Sequence, residues 1–400
     1  MQPNVLYISN VDLQGTLIPG VIEKIRGQQA AFLRNGFDIS VLYPEAGTHI
    51  VIEHGNGKKV TYKGARRMDI QPGILKKIKQ HLQLAWFGSI NFDECVQDIA
   101  QAKYDAVYLR FYLPGKDLIR FLRKLRKLSP GTKILLEYPT LNVGPLMKTD
   151  KARWVSYLIN KKRIAQMNGQ ADYIITLTKD QSLFGKPALF MPNGFDFSSL
   201  KADAPKSNTD KLILLGVASD CANYHGYDKI ILGLQSYLQN NPPVDVEFRI
   251  VSSLTGHNMT ALKKLAEDKG VDGHVIFCGL KSKAELGTEY KNAHIGVGTL
   301  ALHRIGLLDN YSLKHREYAA SGLPFIMSLG DDAFADTPFV FTVERDELPV
   351  NIGALVHFYL RLREQYPDYP SAFRQSMETK LSWDAQMQAV FSAIRNPQKN

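Results

Sequence analysis

Short apolar runs and longer stretches of helical period alternate along almost the whole chain. Residues 4–10 (NVLYISN), DISVLYPE, DAVYLRF, KILLEYP, DYIITLT and ALFMP read as buried strands, each bounded by turn residues. Between them VIEKIRGQQAAFLRNG, INFDECVQDIAQA, GKDLIRFLRKLRKLSPG and KARWVSYLINKKRIAQMNG carry a helical pattern, with Gly36 closing the first. ILKKIKQHLQLAWFG predicts a further helix, with Ile74, Leu75, Ile78, Leu82 and Trp86 on one broad side and lysines opposite. HIVIEHGNGKKVTYKG reads instead as a hairpin turning at Asn56-Gly57.

The series then restarts. After the polar, Pro-containing stretch DFSSLKADAPKSNTD come strand KLILLGVAS, loop SDCANYHG and helix YDKIILGLQSYLQN. Strand VEFRIVSS, helix MTALKKLAEDKG, strand VIFCG, helix KAELGTEYKNA, strand HIGVGTL and strand FVFTV follow. Two strand–helix series predict two α/β domains with parallel sheets. We divide the chain into a first domain at 1–198, a linker at 199–210, a second domain at 211–381 and a closing helix at 382–400.

Four hundred residues fit two domains, and 44% hydrophobic with 22% charged residues is ordinary globular composition. MQPNVLYISN enters a strand directly, so no signal peptide is expected, and no window has the ~20 apolar residues of a membrane span. Cys95, Cys221 and Cys278 are odd in number and far apart, which predicts reduced thiols and a cytoplasmic protein. Charge changes the picture more. Residues 1–195 hold 28 Lys+Arg against 15 Asp+Glu, a net +13; the remainder holds 21 against 24, a net −3. The basic half therefore calls for an anionic partner, a membrane surface or a polyanion, and an anionic membrane surface is the one expected here. Helix 116–128 points Leu118, Leu122, Leu125 and Leu128 inward and Arg120, Arg123, Lys124, Arg126 and Lys127 outward. With helix 74–87 and its Trp86-Phe87 wedge it fits an interfacial surface; the alternative is two solvated helices packed on a sheet.

Several chemistries lack support. Gly296-x-Gly298-x-x-Ala301 has the dinucleotide spacing but does not open a first βαβ unit. There is no Walker A sequence, His-Glu-x-x-His or Cys-x2-Cys, so no metal site is expected, and no nucleic-acid module is recognisable. The informative stretch is 303–328. Ser312 is an N-cap for a helix that Gly322 ends, followed by a buried strand from Leu323. Lys314, His315 and Arg316 crowd its first turn, where the macrodipole disfavours cations by roughly 0.3–1 kcal/mol each. That placement predicts an anion held by the cations and free N–H groups. The loop Ser219–Gly226 follows the first strand of its domain, where open α/β sheets bind ligands.

Asp309-x7-Glu317 followed by Ala320-Ser321-Gly322-Leu323-Pro324 resembles the signature of retaining GT-B glycosyltransferases of family 4. The wording SLKHREY and GTLALHR is closest to its bacterial capsule and exopolysaccharide branch. The resemblance implies a GT-B architecture: two Rossmann-like domains facing across a cleft, with SWDAQMQAVFSAIRN returning to the first domain. It implies sugar transfer, with retention, from a UDP- or GDP-linked donor to an acceptor hydroxyl. The acceptor is expected to be a glycan or lipid-linked glycan of surface polysaccharide synthesis, at the inner face of the plasma membrane. The nucleotide-sugar is a co-substrate, so no cofactor is expected. In the same terms Glu317 accepts the ribose diol, Asp309 orients the donor sugar, and Ser312 and Leu313 lie at the nucleotide. Gly20, His225, Gly226 and Gly279 are further donor-side residues, although Gly20 also reads as a plain loop glycine. Gly216-Val217-Ala218 stands where the family has an Arg, and His225-Gly226 where it often has Lys-Gly. Lys229 and Lys314 are therefore the candidates to neutralise the diphosphate, Lys229 being equally readable as a solvated helix lysine. VYLRFYLP offers Arg110 on the acceptor side, where the family often has a His. Two other readings stand beside this one: a non-hydrolysing nucleotide-sugar epimerase, and a catalytically silent protein that binds a nucleotide-sugar or glycan.

Overall fold

The computed structural model describes residues 2–14, 19–45, 48–64, 90–110, 115–138, 151–206, 210–328 and 330–396, with backbone alone for 19 and 151–160. The proposed helix 74–87, with Trp86 and Phe87, lies outside the described residues. The chain forms two compact units, Met1–Pro192 with Gln386–Asn400, and Asn193–Ala385.

The first unit is built on a nine-stranded sheet in the order β4-β3-β2-β1-β5-β6-β7-β9-β8. Its strands are β1 (Asn4–Ser9), β2 (Asp38–Glu45), β3 (His49–His54), β4 (Lys59–Lys63), β5 (Ala106–Arg110), β6 (Lys133–Glu137), β7 (Tyr173–Thr176), β8 (Ser182–Leu183) and β9 (Lys186–Phe190). Pairings from β2 through β1, β5, β6 and β7 to β9 are parallel. Val5–Ile8, Ala106–Leu109 and Ile134–Leu136 are buried as unbroken runs, as strands covered on both faces require. The β3–β4 hairpin is antiparallel, and Gly57 takes the positive φ (82°) its tight turn needs.

Helix Pro19–Arg34 begins one residue before Gly20, so Gly20 lies inside its first turn rather than ahead of it. In helix Lys116–Leu128 the buried face is Leu118, Ile119, Phe121, Leu122 and Leu125. Leu128 is 43% exposed, against the inward position expected of it. Three of the five bases expected to face solvent are engaged: Arg120 and Lys124 pair with Asp93, and Arg126 pairs with Asp172. The C-terminal stretch forms two short helices, Trp383–Gln386 and Gln388–Arg395. In the second, Phe391 packs on Phe32 and Phe37, and Lys133 Nζ donates to the carbonyls of Ala393 and Ile394, satisfying the helix end.

The second unit carries a wholly parallel six-stranded sheet, β12-β11-β10-β13-β14-β15. The strands are β10 (Lys211–Val217), β11 (Asp245–Val251), β12 (Val275–Phe277), β13 (Ile295–Val297), β14 (Phe325–Ser328) and β15 (Val340–Val343). Helices Tyr227–Leu238, His257–Asp268, Lys283–Asn292 and Leu313–Ser321 connect them, and Ser282 and Glu285 close a capping box. Helices Ile352–Gln365 and Tyr369–Leu381 complete the core through Leu355, Tyr359, Phe373 and Met377. The hydrophobic pattern had not marked these two. Among the described residues no helix is long and apolar enough to cross a membrane.

Candidate functional site

In the second sheet the chain leaves β10 for β11 on one side and β13 for β14 on the other. The strand order reverses between β10 and β13, and the crevice at their C-terminal ends is where such sheets bind ligands. The loops after these strands meet there. Leu300 N–H donates to His225 O (3.1 Å) and Ala301 N–H to Tyr224 O (3.0 Å). Gly226 sits at φ +70°, and a Cβ on it would come within 2.8 Å of Leu300 Cβ, so this contact itself requires glycine.

Helix Leu313–Ser321 starts at the same edge. Ser312 is its N-cap residue in extended backbone, but its side chain makes no capping bond. The first N–H groups are thus uncapped by that side chain, the state suited to an anion. Lys314 follows, 8% exposed, with Nζ 3.0 Å from His225 Nδ1 and 3.4 Å from Tyr227 Oη. No carboxylate forms an ion pair with it among the described residues. Burial drives its pKa down to about 7, against the raising influence of Cys221 and Glu317. Burial, and then the Lys314 and His315 charges, hold His225 well below the usual histidine range, so the imidazole is neutral and accepts the lysine's proton donor.

Glu317 lies one turn on, half-buried, and accepts a 2.7 Å bond from the Tyr290 hydroxyl. Asp309 is exposed in the preceding loop, which Asn310 anchors: its N–H donates to Gly330 O (2.8 Å) and its Nδ2 to Thr299 O (3.0 Å). Ser312 and Leu313 are half-buried.

The expectation that His315 and Arg316 help Lys314 hold an anion is corrected. His315 is fully buried, stacked 5.1 Å from Phe325, and its Nε2 accepts the Thr299 N–H (3.2 Å). Arg316 is 1% exposed, ion-paired with the equally buried Asp331, and donates to Asn193 O (2.9 Å). Both brace the helix from within. The Gly296-x-Gly298 spacing has the same origin: a Cβ would come within 2.7 Å of the Tyr318 ring at one position and 2.5 Å of His315 Nε2 at the other. The bracing residues Asn310, Asp331 and Tyr290 carried no sequence signal, since each acts through a partner distant in sequence.

Of the other marked residues, Lys229 and Gly279 belong to the second unit and Gly20 and Arg110 to the first. Lys229 is 1% exposed, and its Nζ is held by the Asp346 carboxylate (3.1 Å) and carbonyl (2.9 Å), so it is not a solvated helix lysine. Gly279 follows β12 at φ +75°, against Leu254. Gly20 is exposed, with nothing within 4 Å of a Cβ. Arg110 ends β5 in the first unit, 7% exposed. Its register partner Glu137 forms a 2.9 Å ion pair with Lys24 and accepts bonds from Tyr108 (2.6 Å) and Gln28 (3.2 Å). A cavity of about 360 Å³ lined by Asn4, Asp38, His54 and Tyr104 lies at the opposite, N-terminal ends of β1 and β2 and contains none of these residues. No group of side chains suited to a metal ion occurs among the described residues.

No family model matches the chain, and no curated protein does. Solved structures do. Sucrose-phosphate synthase from Thermosynechococcus elongatus aligns over 98% of both chains at 14% identity, TM-score 0.62. A UDP-forming α,α-trehalose-phosphate synthase from Burkholderia xenovorans covers 100% of each chain at 13% identity, TM-score 0.61. A glycosyltransferase from Rickettsia africae covers 100% of this chain and 99% of its own at 12% identity, TM-score 0.60. The fold is therefore that of the GT-B glycosyltransferases, with two Rossmann-like domains.

Proposed function

We propose that the chain is a retaining glycosyltransferase that moves a sugar from a nucleotide-sugar to an acceptor hydroxyl. The reading rests on Lys314: a buried ammonium without a carboxylate partner among the described residues, beside the uncapped N-terminus of helix Leu313–Ser321, where β10 and β13 diverge. A cation and free N–H groups in that position suit a diphosphate, whose negative charge grows as the sugar leaves. One such preorganised donor typically contributes ~2.7–4 kcal/mol to the transition state. Lys314 and the N–H groups of Leu313 and Lys314 take the diphosphate in this scheme, with neutral His225 orienting the lysine. Glu317 accepts the ribose diol and Asp309 the donor sugar's hydroxyls. Lys229 acts on the diphosphate only if the ligand draws it from Asp346. Protein cations in place of Mg²⁺ make the reaction metal-independent.

The acceptor we favour is a lipid-linked glycan of surface polysaccharide synthesis, met by a cytoplasmic protein at an anionic membrane, with Arg110 on the acceptor side. The net +13 of residues 1–195 supports this; the internal pairing of Arg120, Lys124 and Arg126 weakens it. The test is a thermal-shift panel of UDP- and GDP-sugars, beginning with UDP because of the UDP-forming neighbour, followed by turnover with EDTA present. A ligand at 100 times its dissociation constant stabilises by ~2.7 kcal/mol. One nucleotide-sugar should raise the midpoint and be turned over without metal, giving an α- or β-linked product of unchanged anomeric configuration. No response to any nucleotide-sugar would remove the proposal, and binding without transfer would leave a binding protein.

A further inference from the structure

The first sheet has its own point of reversal. The chain leaves β1 for β2 through helix Pro19–Arg34, and β5 for β6 through helix Lys116–Leu128, while β1 and β5 are neighbours. Ser9, Arg110 and Glu137 end β1, β5 and β6 side by side in register, all buried. Glu137 is already committed, through Lys24, Tyr108 and Gln28. Gln28 in turn accepts the Tyr7 hydroxyl at 2.6 Å, so the network is closed on that side.

Arg110 is the member left over. Among the described residues its closest approach to an acid is an ion pair, Nε to Glu137 Oε1 at 3.7 Å, too long for a hydrogen bond, and its buried Nε has no hydrogen-bond partner. A guanidinium is always charged and carries five donors in a planar fork. Burying even its Nε–H without a hydrogen bond is costly unless something anionic completes it. The matching shape is a planar or tetrahedral oxyanion, taken bidentately. From this geometry we infer that Arg110 is a specificity-determining residue for an oxyanion, a carboxylate or phosphate group, carried by the acceptor. Glu137, fixed by Lys24 and Tyr108, positions the guanidinium and sets its open edge. The inference rests on the transferase reading above for the word acceptor, but the oxyanion site itself does not.

The test uses the full-length protein and reads the Arg110 Nε–H signal by NMR while glucuronate, inorganic phosphate or neutral glucose is added. A saturating shift with glucuronate or with phosphate, and none with glucose, is expected; whichever anion gives it identifies the group on the acceptor. Arg110→Gln should then raise that anion's dissociation constant at least about tenfold, with Arg110→Lys recovering part of it. UDP binding is measured in parallel on wild type and variants and should not change. If neither anion moves the wild-type signal, the inference is overturned whatever the variants do. If the anion binds but no nucleotide-sugar does, the transferase reading fails and the oxyanion site stands.

Discussion

Each unit buries a lysine beside the C-terminal ends of its central strands, and the two are treated in opposite ways. Lys24, 5% exposed, meets Glu137 at 2.9 Å inside a network of Tyr108, Gln28 and Tyr7. Lys314, 8% exposed, meets a neutral imidazole and a phenol. Burial lowers the pKa of both, but for Lys24 the Glu137 carboxylate opposes it directly, whereas Lys314 has only more distant acids. A buried cation with its counter-charge belongs to the fold; one without it is a candidate to meet a ligand's charge. Lys229, buried against Asp346, falls on the structural side of that line.

The largest effect expected is at the paired lysine. Lys24→Met leaves Glu137 with only the looser Arg110 contact at 3.7 Å and should cost about 3–5 kcal/mol in urea unfolding. A loss below ~1 kcal/mol, the worth of a surface pair, would mean Arg110 takes over and the contrast is misdrawn. Lys314→Met should do the reverse. Unfolding stability stays level or rises, while nucleoside diphosphate affinity falls by about 2 kcal/mol or more, roughly thirtyfold by calorimetry. Destabilisation with unchanged affinity would make Lys314 another structural lysine.

Glu317→Ala should weaken nucleotide binding by ~1.5–2 kcal/mol, the scale of a bond to a charged group. Because the Tyr290 hydroxyl also loses its acceptor, Glu317→Gln serves as the control that retains one. Asp309→Asn should lower turnover and spare nucleotide affinity; equal loss of both would confine Asp309 to loop structure.

A smaller effect is in the pH profile. An anionic diphosphate raises the Lys314 pKa from about 7, so binding takes up a proton above that pH. UDP affinity should fall as pH rises above about 7, by at most about tenfold per unit, and the slope should vanish in Lys314→Met. For stability the sign is the opposite. A lysine depressed to about 7 from 10.5 works against folding below about 7, and that handicap fades as pH rises toward 10.5. Smallest is the membrane term. Arg123 and Lys127 are the exposed bases of helix Lys116–Leu128 without a pairing carboxylate among the described residues. Reversing both to Glu should remove about 1 kcal/mol each from binding to anionic liposomes at low salt. If wild type ignores such liposomes, a soluble acceptor replaces the lipid-linked one.

The sequence by itself determined the repeated strand–helix order, the Asn56-Gly57 hairpin, and the span of the helix between Ser312 and Gly322. These follow from local rules: a period of two or of 3.6, and backbone positions that favour Asn or Gly. It missed helices Ile352–Gln365 and Tyr369–Leu381. It also misjudged what three adjacent basic residues were for. Reading Lys314, His315 and Arg316 as one anion site assumes that a helix end meets solvent on every side. Tertiary structure decided otherwise: the helix is packed almost all round, and its side chains divide by direction. His315 goes to the Thr299 amide, Arg316 to Asp331 and Asn193, and Lys314 alone to His225, 89 residues earlier. Whether a charge is paired, neutralised or left waiting depends on groups far along the chain, and the energy of burying it is a sum over those neighbours that no local pattern contains.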